Sequence, residues 1–150
     1  MVAAESLRRH AYRAVQPDHL AVQHLVGDDL VNELGEVLFW KIAMKPGRPL
    51  AYGRIGDAHF FGLPGNPVAV MVTFYEFVRD ALLILQGRRD VRPYPLFKAK
   101  LGKPIRKVPG RTEFQRGILA ADQAGGYTVR TTGDQGSGIL SSMSQANCFI

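Results

Sequence analysis

Residues 37–67 read VLFWKIAMKPGRPLAYGRIGDAHFFGLPGNP, and the architecture turns on how this stretch is parsed. Val37 to Met44 is an apolar run of strand formers broken only by Lys41, the pattern of a strand covered on both faces. Pro46-Gly47 then turns the chain. Leu50–Ile55 and Ala58–Leu63 predict two strands joined at Gly56-Asp57, a tight hairpin. The hexapeptide Gly62-Leu63-Pro64-Gly65-Asn66-Pro67 ends the second strand and opens a helix, with Asn66 as N-cap and Pro67 as first helical residue. That helix is expected from Val68 to about Gln86, with Val70, Phe74, Phe77 and Ala81 on its buried face and Gly87 as its stop.

Upstream, Asp28 and Asp29 open a short helix that runs to Leu34 and ends at Gly35, the acids suiting its N-terminal dipole. Residues 1–26 stay unassigned. They carry Arg8, Arg9 and Arg13 with few acids, a faint transit-peptide character, but no apolar core of a secretory signal. Their histidines, His10, His19 and His24, lack a matching ligand set and read as surface residues. Downstream of Gly87 the character changes. Pro93, Pro95, Pro104 and Pro109 break helical patterns, and short apolar runs alternate with glycine turns, the rhythm of a small all-β domain. The expected organisation is an α/β domain over 27–90 followed by a β domain over 91–150.

Composition narrows the class. With 150 residues, 46% hydrophobic and 21% charged, the chain can build a core and is neither a disordered tail nor a low-complexity linker. The most apolar long segment, Val68–Gln86, is interrupted by Glu76, Arg79 and Asp80, so no membrane span is expected. A single cysteine, Cys148, excludes a disulfide scaffold and a cysteine-based zinc site, and fits a reducing cytoplasm. The net charge of +6 is uneven: residues 87–116 hold ten basic and two acidic side chains, while the rest is slightly acidic. Such a stretch is either a solvated face or a contact for something anionic.

Two features carry chemistry. Lys41 and Lys45 are four apart, and strand alternation of period two would point both the same way. A lysine between Trp40 and Ile42 is costly to bury unpaired, so it must reach solvent, a carboxylate or an anionic ligand. The Gly62–Pro67 turn places helix N-terminal amides, which favour anions, behind glycines that allow close backbone approach. Two prolines stiffen it and reduce the entropy lost on binding.

Together, K-x-x-x-K-P-G-R-P, a hairpin, G-L-P-G-N-P and a helix resemble the molybdopterin molybdenumtransferase family, which includes bacterial MoeA and the E domain of gephyrin. Arg111-Thr112-Glu113-Phe114 and the segment Gly136–Met143 resemble that family's C-terminal β domain. The resemblance implies a partial three-layer α/β domain, then a small β-barrel-like domain. It implies insertion of molybdenum, supplied as molybdate, into adenylylated molybdopterin with release of AMP, assisted by Mg2+. The family's active-site lysines fall on Lys41 and Lys45, and its active-site prolines on Pro64 and Pro67. Gly47, Arg48, Gly62, Gly65 and Asn66 join these as substrate-binding positions, Arg48 keeping the charge of a lysine found in many members. No metal ligand is assigned.

Family members are longer, with two domains before this one and more of the β domain after Ile150, and carry an upstream glycine-rich stretch that Val26-Gly27-Asp28-Asp29 matches only at its end. The chain therefore reads as a C-terminal fragment with impaired activity alone, drawn from a cytoplasmic homodimer. Its partners are small anionic substrates, with no nucleic acid and no membrane. The alternative reading is a non-catalytic remnant, or an anion- or nucleic-acid-binding module using residues 87–116, although only Tyr94, Phe97 and Phe114 interleave there as stacking platforms.

Overall fold

A computed structural model describes residues 35–150. The segment 1–26 with its histidines and the helix expected over Asp28–Leu34 lie outside the described residues. Those described fall into two compact units, residues 35–43 with Pro49–Gly62, and Met44–Arg48 with Leu63–Ile150.

The first unit is an antiparallel sheet in the order β1 (Glu36–Trp40), β3 (Ala51–Ile55), β4 (Ala58–Gly62). The expected hairpin is present: Ile55 pairs with Ala58 across the two-residue turn, and Gly56 takes φ +58, which a side chain disfavours. β1 docks on β3 from Glu36↔Arg54 to Trp40↔Ala51 with a bulge between Val37 and Phe39. The approach is so close that a Cβ at Gly53 would lie 2.3 Å from the Glu36 carbonyl. Tyr52 gathers aromatic neighbours, its ring centroid 5.7 Å from Phe39 and 5.0 Å from Phe61, while its hydroxyl meets His59 Nδ1 at 2.8 Å.

The expectation of one strand through Met44, covered on both faces, is corrected. β1 stops at Trp40 because Lys41 adopts φ +69, and Leu38 is 47% exposed. A left-handed residue cannot continue an extended strand.

The second unit begins with β2 (Met44–Lys45), which pairs in parallel with β6 (Thr112–Glu113). A four-stranded sheet follows in the order β5 (Lys100–Leu101), β8 (Tyr127–Thr131), β7 (Arg116–Ala121), β9 (Cys148–Phe149). The β-rich character expected after Gly87 is observed, with one short helix added before β9 at Ser141–Gln145.

The long helix is present but not uniform. α1 (Pro67–Thr73) passes through a π-helical turn (Phe74–Val78) into α2 (Arg79–Leu85). The buried face differs from the expected one. Val68, Ala69, Val72 and Thr73 are buried, followed by Val78, five residues after Thr73, whereas Phe74, expected inside, is 37% exposed. The wider turn accounts for the five-residue step from Thr73 to Val78, while the burial of Ala69, Val72 and Thr73 already sets the face of α1 away from Phe74 before that turn. The Thr73 hydroxyl contributes by donating back to the carbonyls of Ala69 at 2.8 Å and Val70 at 3.0 Å. Gly87 is the stop: at φ +87 it donates to Ile84 and Arg88 donates to Leu83, the paired bonds of a Schellman cap.

Candidate functional site

In the first unit, Lys41 is exposed, with its ammonium 6.0 Å from the Trp40 ring centroid and its amide donating to the Leu50 carbonyl at 3.1 Å. The side chain stays in water, which removes the burial cost that the sequence raised. Gly62 has a packing reason of its own, since a Cβ there would lie 3.1 Å from Ala51 Cβ and 3.2 Å from Phe60.

The idea that Lys41 and Lys45 point the same way by strand alternation is corrected. They do not share a strand, because β1 has ended before Lys41 and β2 is a separate two-residue strand.

The second unit gathers the remaining predicted residues. Lys45 faces Glu113 across the β2–β6 ladder, Nζ to Oε1 3.7 Å, and the Phe114 amide donates to the Lys45 carbonyl at 2.9 Å. The Lys45 side chain is 54% exposed and that of Glu113 11%, so the cation stands at the surface over a largely buried carboxylate. Glu113 also accepts from Gln115 at 3.3 Å. The Lys45–Pro46 bond is cis, and Gly47 follows at φ +104. A Cβ on Gly47 would lie 2.6 Å from Thr73 Cγ2, so the turn is packed onto α1 and only glycine fits. Arg48 is exposed and has no ion pair among the described residues.

At the helix start, Pro64 is buried while Gly65, Asn66 and Pro67 are exposed. Asn66 holds the N-cap position, but its side chain makes no capping bond. It donates instead to Ser137 Oγ at 3.1 Å, and the Val68 amide donates to the Ser137 carbonyl at 3.2 Å. Part of the anion-favouring amide set expected here is thus already used by a loop seventy residues away. Gly65 has open space around its would-be Cβ.

The residue that the sequence reading missed is Arg116. It is 1% exposed, among the largest fully buried side chains, and donates to Ser142 Oγ at 3.0 Å and the Gly136 carbonyl at 3.1 Å. Burial lowers its pKa from the ordinary arginine value. The signal was faint, because an arginine at the end of a basic stretch resembles a solvated charge. Burial also pushes the Cys148 thiol up, away from a reactive thiolate. Among the described residues no group of three or more His, Cys, Asp or Glu is placed to hold a metal ion, and no helix is long and apolar enough to cross a membrane.

Comparison with known proteins bears on this arrangement. Residues 19–83 match the family described as probable molybdopterin binding domain, a match that begins inside the segment the sequence reading left unassigned. Residues 98–150 match the MoeA C-terminal region, domain IV. Molybdopterin molybdenumtransferase of Haemophilus influenzae is 42% identical over 121 residues, covering 81% of this chain. Over both matched segments the chain is similar to MoeA-family proteins.

MoeA-family relatives are longer, and this chain spans about a third of their length: 30% of the Haemophilus protein and 32% of molybdopterin molybdenumtransferase 2 of Mycobacterium tuberculosis, which is 38% identical over 141 residues. A solved MoeA-family structure, the molybdopterin biosynthesis moeA protein of Pyrococcus horikoshii, superposes with a TM-score of 0.61 at 32% identity, covering 81% of this chain and 29% of its own. The molybdenum cofactor biosynthesis protein of Pyrococcus furiosus gives 0.58 at 34% identity, covering 77% and 39%.

Proposed function

We propose that this chain carries part of the active site for inserting molybdenum, delivered as molybdate, into adenylylated molybdopterin, with AMP leaving as the molybdenum cofactor forms. The observation that carries the reading is that, within the second unit, exposed Lys45 leads into a Pro46-Gly47 turn packed on Thr73 of the helix that begins just after Asn66. Molybdate and the phosphates of adenylylated molybdopterin are anions, and their transfer needs placement of charge more than proton movement. Exposed ammonium and guanidinium groups with rigid backbone suit that task. In the second unit Lys45 and Arg48 hold anions, and in the first unit Lys41 is assigned an anion contact of its own. Gly47 shapes the turn beside them. Pro64, Gly65, Asn66 and Pro67 form the rigid edge against which the pterin-phosphate portion rests, and Gly62, in the first unit, is assigned as a separate substrate-binding position.

The names of the relatives support the transferase reading, and the two family matches support a division near residue 90; a partial three-layer α/β domain before it and a barrel-like β domain after it are part of the proposal. A homodimer in the cytoplasm is the assembly proposed for the longer form. The described residues present no carboxylate cluster suited to Mg2+, so no step is routed through that ion. The test is a titration of the 150-residue chain with molybdate and with adenylylated molybdopterin. Saturable binding that Lys41→Ala and Lys45→Ala each weaken about ten- to hundredfold, the loss of one charge-assisted contact, is the expected result. Unchanged binding in both variants, with the fold intact, refutes the assignment.

A further inference from the structure

Arg116 is a buried cation with no carboxylate beside it among the described residues. Such a group carries a desolvation penalty that an apolar side chain of the same size avoids. Its role is read from what it holds. The guanidinium donates to the Gly136 carbonyl and to Ser142 Oγ, and Ser142 Oγ donates onward to the Ile139 carbonyl at 2.6 Å. The Arg116 backbone grips the same loop. Its amide donates to Gln135 Oε1 at 2.7 Å, and its carbonyl accepts from the Thr132 amide at 3.0 Å and from Gln135 Nε2 at 3.2 Å. Residues 132–142 are therefore hung on one arginine at both main chain and side chain.

That loop carries Ser137, whose hydroxyl accepts from Asn66 and whose carbonyl accepts from the Val68 amide. A continuous set of hydrogen bonds thus runs from Arg116 through the loop to the first turn of α1, all within the second unit. We infer that Arg116 is a positioning residue for the Gly65–Val68 edge of the site. It fixes Ser137, and Ser137 fixes the conformation and the donor supply of the helix start. The inference rests on the proposed function for its ligand, but the bonds that carry it do not.

The experiment compares Arg116→Lys, Arg116→Met and Ser137→Ala with the unaltered 150-residue chain in two measurements. The first is amide hydrogen exchange at Val68, read against Gly102, whose amide bonds to the Val129 carbonyl in the sheet away from this loop. Arg116→Met is expected to accelerate Val68 exchange about tenfold, in line with loss of a hydrogen bond to a charged group, and to leave Gly102 unchanged. Arg116→Lys keeps the charge but not the forked geometry, so it should restore only part of the protection. Ser137→Ala keeps the Ser137 carbonyl and should leave Val68 exchange close to the original. The second measurement is affinity for adenylylated molybdopterin, whose pterin-phosphate portion is assigned to this edge, expected to weaken several-fold in Arg116→Met and Ser137→Ala alike, because both release Asn66.

Equal acceleration at Val68 and Gly102 would mean that Arg116 supports the whole sheet and would overturn the inference. Local acceleration with unchanged affinity for adenylylated molybdopterin would overturn its role at the site. Absence of adenylylated molybdopterin binding in the unaltered chain would count against the proposed function, while the exchange measurement would still decide whether Arg116 holds the helix start.

Discussion

The Lys45 ammonium lies 3.7 Å from the Glu113 carboxylate, on paired positions of two parallel two-residue strands that are separated by the whole helix in sequence. The pair gives Lys45 a fixed station without neutralising it outright, since the lysine is half exposed and screened by water. It also means that an incoming anion competes with a resident carboxylate. Glu113→Gln keeps the shape and removes the competitor. Molybdate affinity is expected to rise about two- to fivefold, the equivalent of an exposed ion pair of up to about 1 kcal/mol. Isothermal titration at low salt measures it, and weaker binding would show that Glu113 is needed to aim the lysine.

Gly47 and Gly65 separate folding from binding. At Gly47 the backbone is left-handed and a Cβ would strike Thr73, so Gly47→Ala is expected to destabilise the chain by about 1–3 kcal/mol. Gly65 has neither constraint, so Gly65→Ala should leave stability within about 0.5 kcal/mol. If the turn meets its ligand through backbone, the same substitution should still weaken binding of adenylylated molybdopterin. Urea unfolding and a binding titration on both variants provide the check.

Local punctuation was legible in the sequence, and long-range partnership was not. The Gly56-Asp57 hairpin, the helix start at Pro67 and the stop at Gly87 were all readable because each rests on residues within a few positions of one another. Lys41 was misread because a left-handed lysine has no composition signature. The buried helix face differs from the expected one because α1 turns Val68, Ala69, Val72 and Thr73 inward rather than Val70 and Phe74, and a π-turn that nothing in Phe74-Tyr75-Glu76 announces then delays the next buried residue to Val78. At the candidate site, Lys45 and Asn66 were named from motifs, but their partners Glu113 and Ser137 lie about seventy residues away. Arg116 was hidden for the opposite reason, since it closes a stretch rich in exposed basic residues, while its neighbours in space are a serine hydroxyl and a carbonyl.

The basic stretch 87–116 offers a direct comparison of partners. Its cations are exposed apart from Arg116, and among the described residues the only carboxylate pair within it is Arg88–Asp90. Exposed lysines of this kind attract any polyanion by counterion release, without selectivity. Binding to DNA or RNA is expected to be weaker than about micromolar at physiological salt, to ignore sequence and to vanish as salt rises. Fluorescence anisotropy with two unrelated oligonucleotides tests this. Sequence-selective binding that survives physiological salt would move the stretch from a solvated face to a nucleic-acid site.

Glu76 makes stability depend on pH in a predictable direction. Burial, and then the nearby charge of Asp80, holds its carboxyl above the ordinary value of 4.5. The folded chain therefore binds this proton more tightly than the unfolded chain does. The resulting stabilisation is fully present below the unfolded pKa and is lost as pH rises through the raised folded one. At neutral pH the ionised carboxylate is a net cost carried by the π-turn. Glu76→Gln removes the titration while keeping the side chain's shape, so it should stabilise the chain at pH 7 and lose that advantage as pH falls toward 4. The gain is expected to stay below about 1 kcal/mol, because the carboxyl keeps partial contact with water. Thermal unfolding of both chains between pH 4 and pH 8 measures the difference. A variant less stable at pH 7, or a difference that does not shrink on acidification, would show that the carboxylate has a stabilising partner and that burial does not govern its titration.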